Sequence, residues 1–182
     1  GVSVGIRGPV SIHPAFSIAP VNERISSIQI TKSVSGEGDG TKKASDTMGM
    51  KHRVDHGIYV FYGAINPQLA SKTGFTDDDA QAIKKALESL FDNDASSARP
   101  EGSMEIVGGL WWPQKDKTKQ YSSAVVHRSL MVKLKEDKSE QKTMFDYDYE
   151  YQKLDGLTPE ILDPNNFGLI KESAHKGQSV SV

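Results

Sequence analysis

The feature that most restricts the fold of this chain is a long segment, Lys32 to Arg53, that interrupts a pattern of short strands. It contains four glycines and several cations, and Met48 and Met50 are almost its only large apolar residues. A segment of this composition cannot bury enough apolar surface to become ordered by itself. We therefore predict a mobile loop or a protruding hairpin, inserted into a domain whose core comes from the flanking segments.

Alternating apolar residues predict strands on both sides of this segment. Ile25 to Thr31 alternates apolar and polar side chains, and His56 to Ile65 is dense in aromatic and β-branched residues, which suits the centre of a sheet. Val2 to Val21 is predicted to be extended, with an irregular entry at Gly8-Pro9. Later strands are predicted over Met104 to Trp112, Ala124 to Lys135 and, as an edge strand, Phe145 to Tyr151.

One helix is clearly indicated, from about Thr76 to Phe91. Thr76 is a favourable N-cap, and the aspartates at positions 77 to 79 oppose the positive end of the helix dipole. Helical spacing places the apolar side chains of this segment on one face, which we assign to the core. These side chains are Ala80, Ile83, Leu87, Leu90 and Phe91.

The order of these elements predicts an α+β fold with a mainly antiparallel sheet and a helix packed on one face. It matches the later half of a ferredoxin-like, RNA-recognition-motif fold, whose first strand and first helix would precede Gly1. Beyond Pro159 we expect a loosely packed tail.

The composition argues against several classes of function. The chain has no cysteine, which excludes disulfides and thiolate zinc sites and suits a reducing cytosol. We find no signal peptide and no apolar run of membrane-spanning length, so we expect a cytoplasmic protein without membrane association. No nucleophile, Walker or dinucleotide motif occurs, and His52 and His56 have metal-ligand spacing only if helical. We therefore expect no catalytic residue, no metal and no cofactor.

Positive charge is concentrated locally, although 22 Lys and Arg against 24 Asp and Glu give a net charge of −2. Cations outnumber acids in Lys32 to Arg53 and again in Trp111 to Lys138. Phosphate contact is the simplest use for such stretches, and a solvated surface is the alternative. The run Met48 to Arg53 is more specific, because Met can wedge between bases while the cations hold phosphates. For this run the alternative is a disordered surface loop.

Five short segments then occur in a characteristic order: Arg7-Gly8-Pro9-Val10, Asp46 to Val54, His56-Gly57-Ile58-Tyr59, Lys72-Thr73-Gly74-Phe75 and Leu90 to Arg99. Together they resemble the backbone subunit of type I-C Cascade, in the broad Cas-seven superfamily of CRISPR-associated proteins. The similarity runs from Val4 to about Lys135.

The resemblance implies a modified RNA-recognition fold with a thumb, whose copies stack along a guide RNA (crRNA) and have no catalytic role. The implied partners are the crRNA guide, target DNA, neighbouring copies of the chain and other Cascade subunits. We divide the chain into a palm over residues 1–138, with a thumb-like insertion at about 32–55, and a C-terminal edge strand and tail over 139–182. The expected RNA-binding residues are Arg7, Lys42, Lys43, Met48, Met50, Lys51, His52, Arg53, Arg99, His127 and Arg128.

Members of this family begin well before the Arg7 segment, so we expect this chain to lack the N-terminal part of such a subunit. Two other functions stay open. Related RNA-targeting backbone subunits use a loop aspartate with a metal to cleave RNA, and Asp46 is the matching candidate here. The second is a protein-interaction scaffold that binds no nucleic acid.

Overall fold

The computed structural model describes residues 5–21, 23–31, 47–96, 98–115 and 118–174. These residues form eleven strands, most of them short, three α-helices and one turn of 3-10 helix at Met144–Asp146. The strands are β1 Val10–Ile12, β2 Phe16–Ser17, β3 Glu23–Thr31, β4 Thr47–Val54, β5 Tyr59–Val60, β6 Gly63–Ile65, β7 Gly109–Trp111, β8 Leu130–Leu134, β9 Tyr147–Tyr151, β10 Glu160–Leu162 and β11 Ile170–Glu172. The helices are α1 Pro67–Thr73, α2 Asp77–Glu88 and α3 Ser123–Ser129.

Most of the strand pairing is antiparallel. Four two-stranded sheets pair β1 with β6, β2 with β5, β3 with β4 and β7 with β10, all antiparallel. A three-stranded sheet has the order β11-β9-β8, in which β8 is antiparallel and β11 parallel to β9. The structure therefore confirms the predicted α+β class with mainly antiparallel sheets, and it is compatible with a ferredoxin-like, RNA-recognition-motif fold.

The best-buried part of the core is built around tyrosines of β9. Alternation along this strand puts Tyr147, Tyr149 and Tyr151 on one face, and all three are buried. Tyr147 and Tyr149 pack with Ile58, and partly buried side chains from the residues that follow β2 and from β8 are among those that surround them. Burial raises the pKa of Tyr149, because the ionised phenolate would lose its hydration.

The buried hydroxyl groups of this core have partners. The Tyr147 hydroxyl donates to Oε1 of the buried Gln141, whose Nε2 in turn donates to the carbonyl oxygen of Pro20. The Tyr149 hydroxyl donates to the Met144 carbonyl oxygen at 2.9 Å. Such bonds offset the cost of removing polar groups from water. They also connect the segment after β2 to the strand β9.

The predicted helix is present as α2. Thr76 is its N-cap, and the Thr76 backbone N–H donates to the Asp79 carboxylate at 2.8 Å, completing a capping box. The helix is half-buried, and Leu90, which was assigned to its apolar face, lies beyond the last helical residue and is exposed. Lys84 of this helix forms an ion pair with the exposed Glu160 of β10, and this ion pair connects the helix to β10.

Two helices were not predicted. Asn66-Pro67 was expected only to end a strand, but the Asn66 side chain also accepts the backbone N–H groups of Gln68 and Leu69 and starts α1. The strand predicted over Ala124 to Lys135 was wrong in its first half. That half is the helix α3, and only Leu130–Leu134 is a strand.

Other predicted strands are shorter than expected. The single central strand predicted over His56 to Ile65 is divided into β5 and β6, which belong to different two-stranded sheets. The range Val2 to Val21 contains only β1 and β2, and Met104 to Trp112 contains only β7. In contrast, the predicted strand at Ile25 to Thr31 is confirmed as β3.

The expectation of a loosely packed tail beyond Pro159 was wrong for residues 160–172. This stretch supplies β10, which pairs with β7, and β11, which pairs with β9. Leu162 is buried. As a result β9 lies in the middle of its sheet, where the sequence predicted an edge strand. The division of the chain at residue 138 stays a prediction.

Candidate nucleic-acid interface

Strands β3 and β4 form a long antiparallel hairpin. Its register pairs Glu23 with Val54 at the base and Thr31 with Thr47 near the tip, with an irregularity between Ile25 and Ser27. Within the described part of the chain these two strands form a sheet of their own. For the segment Lys32 to Arg53 the sequence predicted either a mobile loop or a protruding hairpin. The strand over residues 47–54 fits the hairpin.

Strand β4 of this hairpin carries five of the eleven predicted RNA-binding residues. The backbone register sets Met48 opposite Ile30 and Met50 opposite Ile28. Two others, Lys42 and Lys43, lie outside the described residues, as does Asp46. The five on β4 are Met48, Met50, Lys51, His52 and Arg53.

At the base of the hairpin a cation is held by only a weak ion pair. Nη2 of Arg53 lies 3.0 Å from Oδ1 of Asp55, and the Arg53 side chain is 64% exposed. An exposed pair of this kind contributes little free energy, so the guanidinium is able to exchange the carboxylate for a phosphate. His52 is also exposed.

Helix α3 brings His127 and Arg128 to the pair of strands β1 and β6. The Ser122 side chain caps the helix by accepting the Val125 N–H, and both residues follow in its last turn. Nε2 of His127 lies 3.1 Å from the Gly63 carbonyl oxygen. Because a carbonyl oxygen can only accept, Nε2 carries the proton of this bond. Arg128 is exposed and forms no ion pair with a described residue.

Three aromatic rings meet beside this contact, and we call them the ring cluster: His13, Tyr62 and His127. The rings of Tyr62 and His127 are stacked, with centroids 4.9 Å apart and planes 23° apart. The His13 ring meets His127 edge-on, with centroids at 5.4 Å and an interplanar angle of 86°. The backbone also joins two of these residues, because the His13 N–H donates to the Tyr62 carbonyl oxygen at 2.8 Å.

Sequence reasoning selected His127 but missed His13 and Tyr62. The three positions are far apart in the chain, and none shares a motif with another. Their proximity depends on the β1–β6 pairing and on the docking of α3, neither of which a local pattern specifies. The concentration of cations over Trp111 to Lys138 was the sequence signal that pointed to the part of the chain around His127.

The remaining predicted residues lie apart from the ring cluster in the chain and make local contacts. Arg7 is exposed in the segment before β1. Arg99 lies after α2, where its guanidinium pairs with Asp94 at 3.1 Å and its N–H donates to the Ser96 hydroxyl at 3.0 Å. These contacts hold Arg99 in its own turn, and its role in RNA binding stays a prediction.

Among the described residues, no group of three His, Asp or Glu side chains is arranged to hold a metal ion. In the same part of the chain, no helix combines the length and the apolar character needed to cross a bilayer.

Comparison with known proteins gives one match. A family model described as CRISPR-associated protein Cas7 matches residues 2–152. A search of curated proteins found no match. The family match covers most of the chain, including the hairpin, α3 and the ring cluster. This chain therefore belongs to the Cas7 family of CRISPR-associated proteins.

Proposed function

We propose that this chain is the guide-binding backbone subunit of a type I-C Cascade complex, which polymerises along crRNA and supports recognition of target DNA. Membership of the Cas7 family makes it a CRISPR-associated, RNA-binding backbone subunit of a Cascade-like complex. The family match is the observation that carries the proposal. The order of the five segments from Arg7 to Arg99 favours the type I-C assignment.

The β3–β4 hairpin is our candidate for the thumb that crosses the guide. It is long and two-stranded, and its second strand, β4, lies within the thumb-like insertion predicted at about 32–55, whereas β3 precedes that range. Within the described residues its two strands pair only with each other, and an isolated two-stranded hairpin suits an element that gains order against a partner. In this role Met48 or Met50 would wedge at a nucleotide, and Lys51, His52 and Arg53 would hold phosphates.

Recognition of the guide is proposed to depend on backbone and shape. A subunit that must accept any guide sequence has to bind groups that every sequence shares, which are the phosphates and sugars. The exposed cations Arg53 and Arg128, together with Arg7, Lys42, Lys43 and Arg99, are the candidates. Further partners in this proposal are neighbouring copies and other Cascade subunits, and the complex is placed in the cytoplasm.

The proposal assigns no catalytic residue and no cofactor. Cas7 backbone subunits are typically non-catalytic in Cascade. In the assembled complex with Mg²⁺ we expect labelled complementary RNA to remain uncut. Cleavage that depends on Asp46 would replace this proposal with the RNA-targeting alternative.

The register of the hairpin allows a sharp test. In the full-length subunit, residues 28–50 are replaced by Asn-Gly, which joins the paired residues Ser27 and Lys51 through a two-residue turn. The base of the hairpin, with His52 and Arg53, is retained. We expect the variant to fold, as judged by circular dichroism, but to lose assembly along the guide and binding of target DNA, as judged by sedimentation and electrophoretic mobility.

A matched variant separates the tip of the hairpin from its strands. Replacing only residues 32–46 by Asn-Gly keeps the Thr31–Thr47 pair and both methionines of β4. We expect this variant to assemble with reduced affinity, because Lys42 and Lys43 are the only predicted RNA-binding residues that it loses. Normal size and affinity for the 28–50 variant would show that the hairpin is not the thumb. The contacts would then have to come from Arg7, Arg99 and His127-Arg128.

A further inference from the structure

We infer that the ring cluster of His13, Tyr62 and His127 is a stacking site for one unpaired base of single-stranded RNA, with His13 as the ring that meets the base. This inference rests on the proposed function and adds a specific contact to it. The observations that carry it are the fixed geometry of two rings, the exposure of the third ring and the charge beside them.

Two of the rings form a rigid support. His127 is held by its Nε2 bond to the Gly63 carbonyl oxygen and by stacking on Tyr62, and both His127 and Tyr62 are half-buried. A ring that is already fixed loses little conformational entropy when a ligand binds next to it. Tyr62 and His127 therefore hold the position of His13 without being the binding surface themselves.

His13 is the accessible member of the cluster. Its side chain is exposed, and its edge-on contact with His127 leaves ring surface open to solvent. Neither nitrogen of its ring has a hydrogen-bond partner among the described residues. An exposed planar ring with two free polar atoms can stack on a base and also hydrogen-bond a base edge or a ribose hydroxyl group.

The charge beside the cluster favours a nucleic acid over an apolar peptide. Arg128 follows His127 directly, is exposed and is free of ion pairs within the described part of the chain. Stacking rings next to an unpaired guanidinium match the combination by which proteins hold single-stranded nucleic acid, with the ring on the base and the cation on the phosphate. A purely apolar partner would leave this cation without a counter-charge.

The test uses the full-length subunit assembled on guide RNAs that carry 2-aminopurine at successive positions. Stacking on an aromatic ring quenches the fluorescence of 2-aminopurine, so a site in each subunit predicts quenching at regularly spaced positions. We expect His13→Ala to abolish the additional quenching at these positions and to weaken binding of a short single-stranded RNA by about 5- to 100-fold. His13→Phe, which keeps a ring, should retain the quenching.

A matched control comes from the neighbouring strand. Phe16 of β2 is 71% exposed but lies outside the ring cluster, so Phe16→Ala should leave the quenching pattern unchanged. If His13→Ala binds RNA with the same quenching pattern as the unmodified protein, the inference is wrong and the proposed function stands. If His13→Ala disrupts contacts between copies without any change in quenching, a protein side chain occupies the site and the inference is also wrong. If the unmodified subunit binds no RNA, the proposed function itself fails.

Discussion

At the scale of single residues, two aspartates stabilise the fold by accepting backbone hydrogen bonds. Asp146 accepts the N–H groups of Lys142 and Thr143 at 3.0 and 2.8 Å, and Lys138 lies 3.4 Å from its other oxygen. These bonds favour the ionised carboxylate and lower the pKa of Asp146 to about 2. The bonds from Thr76 lower the pKa of Asp79 in the same way.

This geometry predicts an acid-dependent loss of stability to which Asp146 contributes. The folded pKa of about 2 lies below the ordinary value of 3.8, so the stabilisation is complete above pH 4 and is lost as the pH falls toward 2. We expect Asp146→Asn to have a lower urea midpoint than the unmodified protein at pH 7 and to show a smaller decrease between pH 4 and pH 2. The measurement is equilibrium unfolding in urea, followed by circular dichroism.

Asp137→Asn is the control for this prediction. Asp137 is exposed in the same loop region, and its carboxylate has no hydrogen bond to a described residue. Its substitution should leave the dependence on pH unchanged. Equal pH profiles for the two variants would contradict the role assigned to Asp146.

The residue scale also shows what a sequence can and cannot predict about a site. The capping box joins Thr76 and Asp79, which are three positions apart, so the spacing alone predicts it. The contact of His127 with Gly63 joins residues 64 positions apart, and His13 is more distant still. No periodicity links such positions, so the ring cluster was not predictable beyond the single residue His127.

At the scale of elements, the sequence predicted the helices and strands that depend on neighbouring residues alone. The cap and the 3.6-residue period of α2 were sufficient, and so was the alternation in β3. The failure at Ala124 to Lys135 has a physical cause, because α3 and β8 follow one another without a break and each contributes a short apolar run, at residues 124–126 and 130–132. Short apolar runs do not distinguish a helix from a strand. The central position of β9 depends on β11, a long-range pairing that local pattern does not contain.

The C-terminal strands give a prediction at this scale. Gly108 has φ +156°, and an added Cβ would lie 3.0 Å from Cδ1 of Ile170 in β11. A side chain here is strained by this φ value, and the Ile170 side chain also has to shift by a few tenths of an ångström to accommodate it. We therefore expect Gly108→Ala to lower the free energy of unfolding by about 1–3 kcal/mol, measured by urea denaturation.

The adjacent glycine provides the matched control. A Cβ on Gly109 would make ordinary contacts with Leu162, the nearest atom being Cδ1 at 3.6 Å. We expect Gly109→Ala to cause no loss of stability, because alanine is conformationally less costly than glycine within a strand. If both substitutions are tolerated equally, Ile170 of β11 does not pack against Gly108 as described.

At the scale of the whole molecule, a chain with a net charge of −2 is assigned to bind a polyanion. The distribution of charge resolves this conflict. Some acidic residues are engaged in hydrogen bonds within the fold, as in the caps formed by Asp79 and Asp146, whereas Arg53 and Arg128 are exposed on the hairpin and on α3. Binding to phosphates depends on these local cations and not on the total.

This distribution predicts how binding of the guide responds to salt. Each phosphate contact on a single strand contributes about −0.7 to the slope of log affinity against log salt concentration. Contacts from Lys42, Lys43, Lys51, Arg53 and Arg128 would give about −3.5 per subunit. Arg53→Ala and Arg128→Ala should each make the slope about 0.7 less steep. Lys72 is an exposed cation at the end of α1, and Lys72→Ala should leave the slope unchanged.

Titrations of two guides of equal length and unrelated sequence should coincide. A marked preference for one guide, or a slope that Arg53→Ala and Arg128→Ala do not alter, would reject recognition through the phosphates by these side chains.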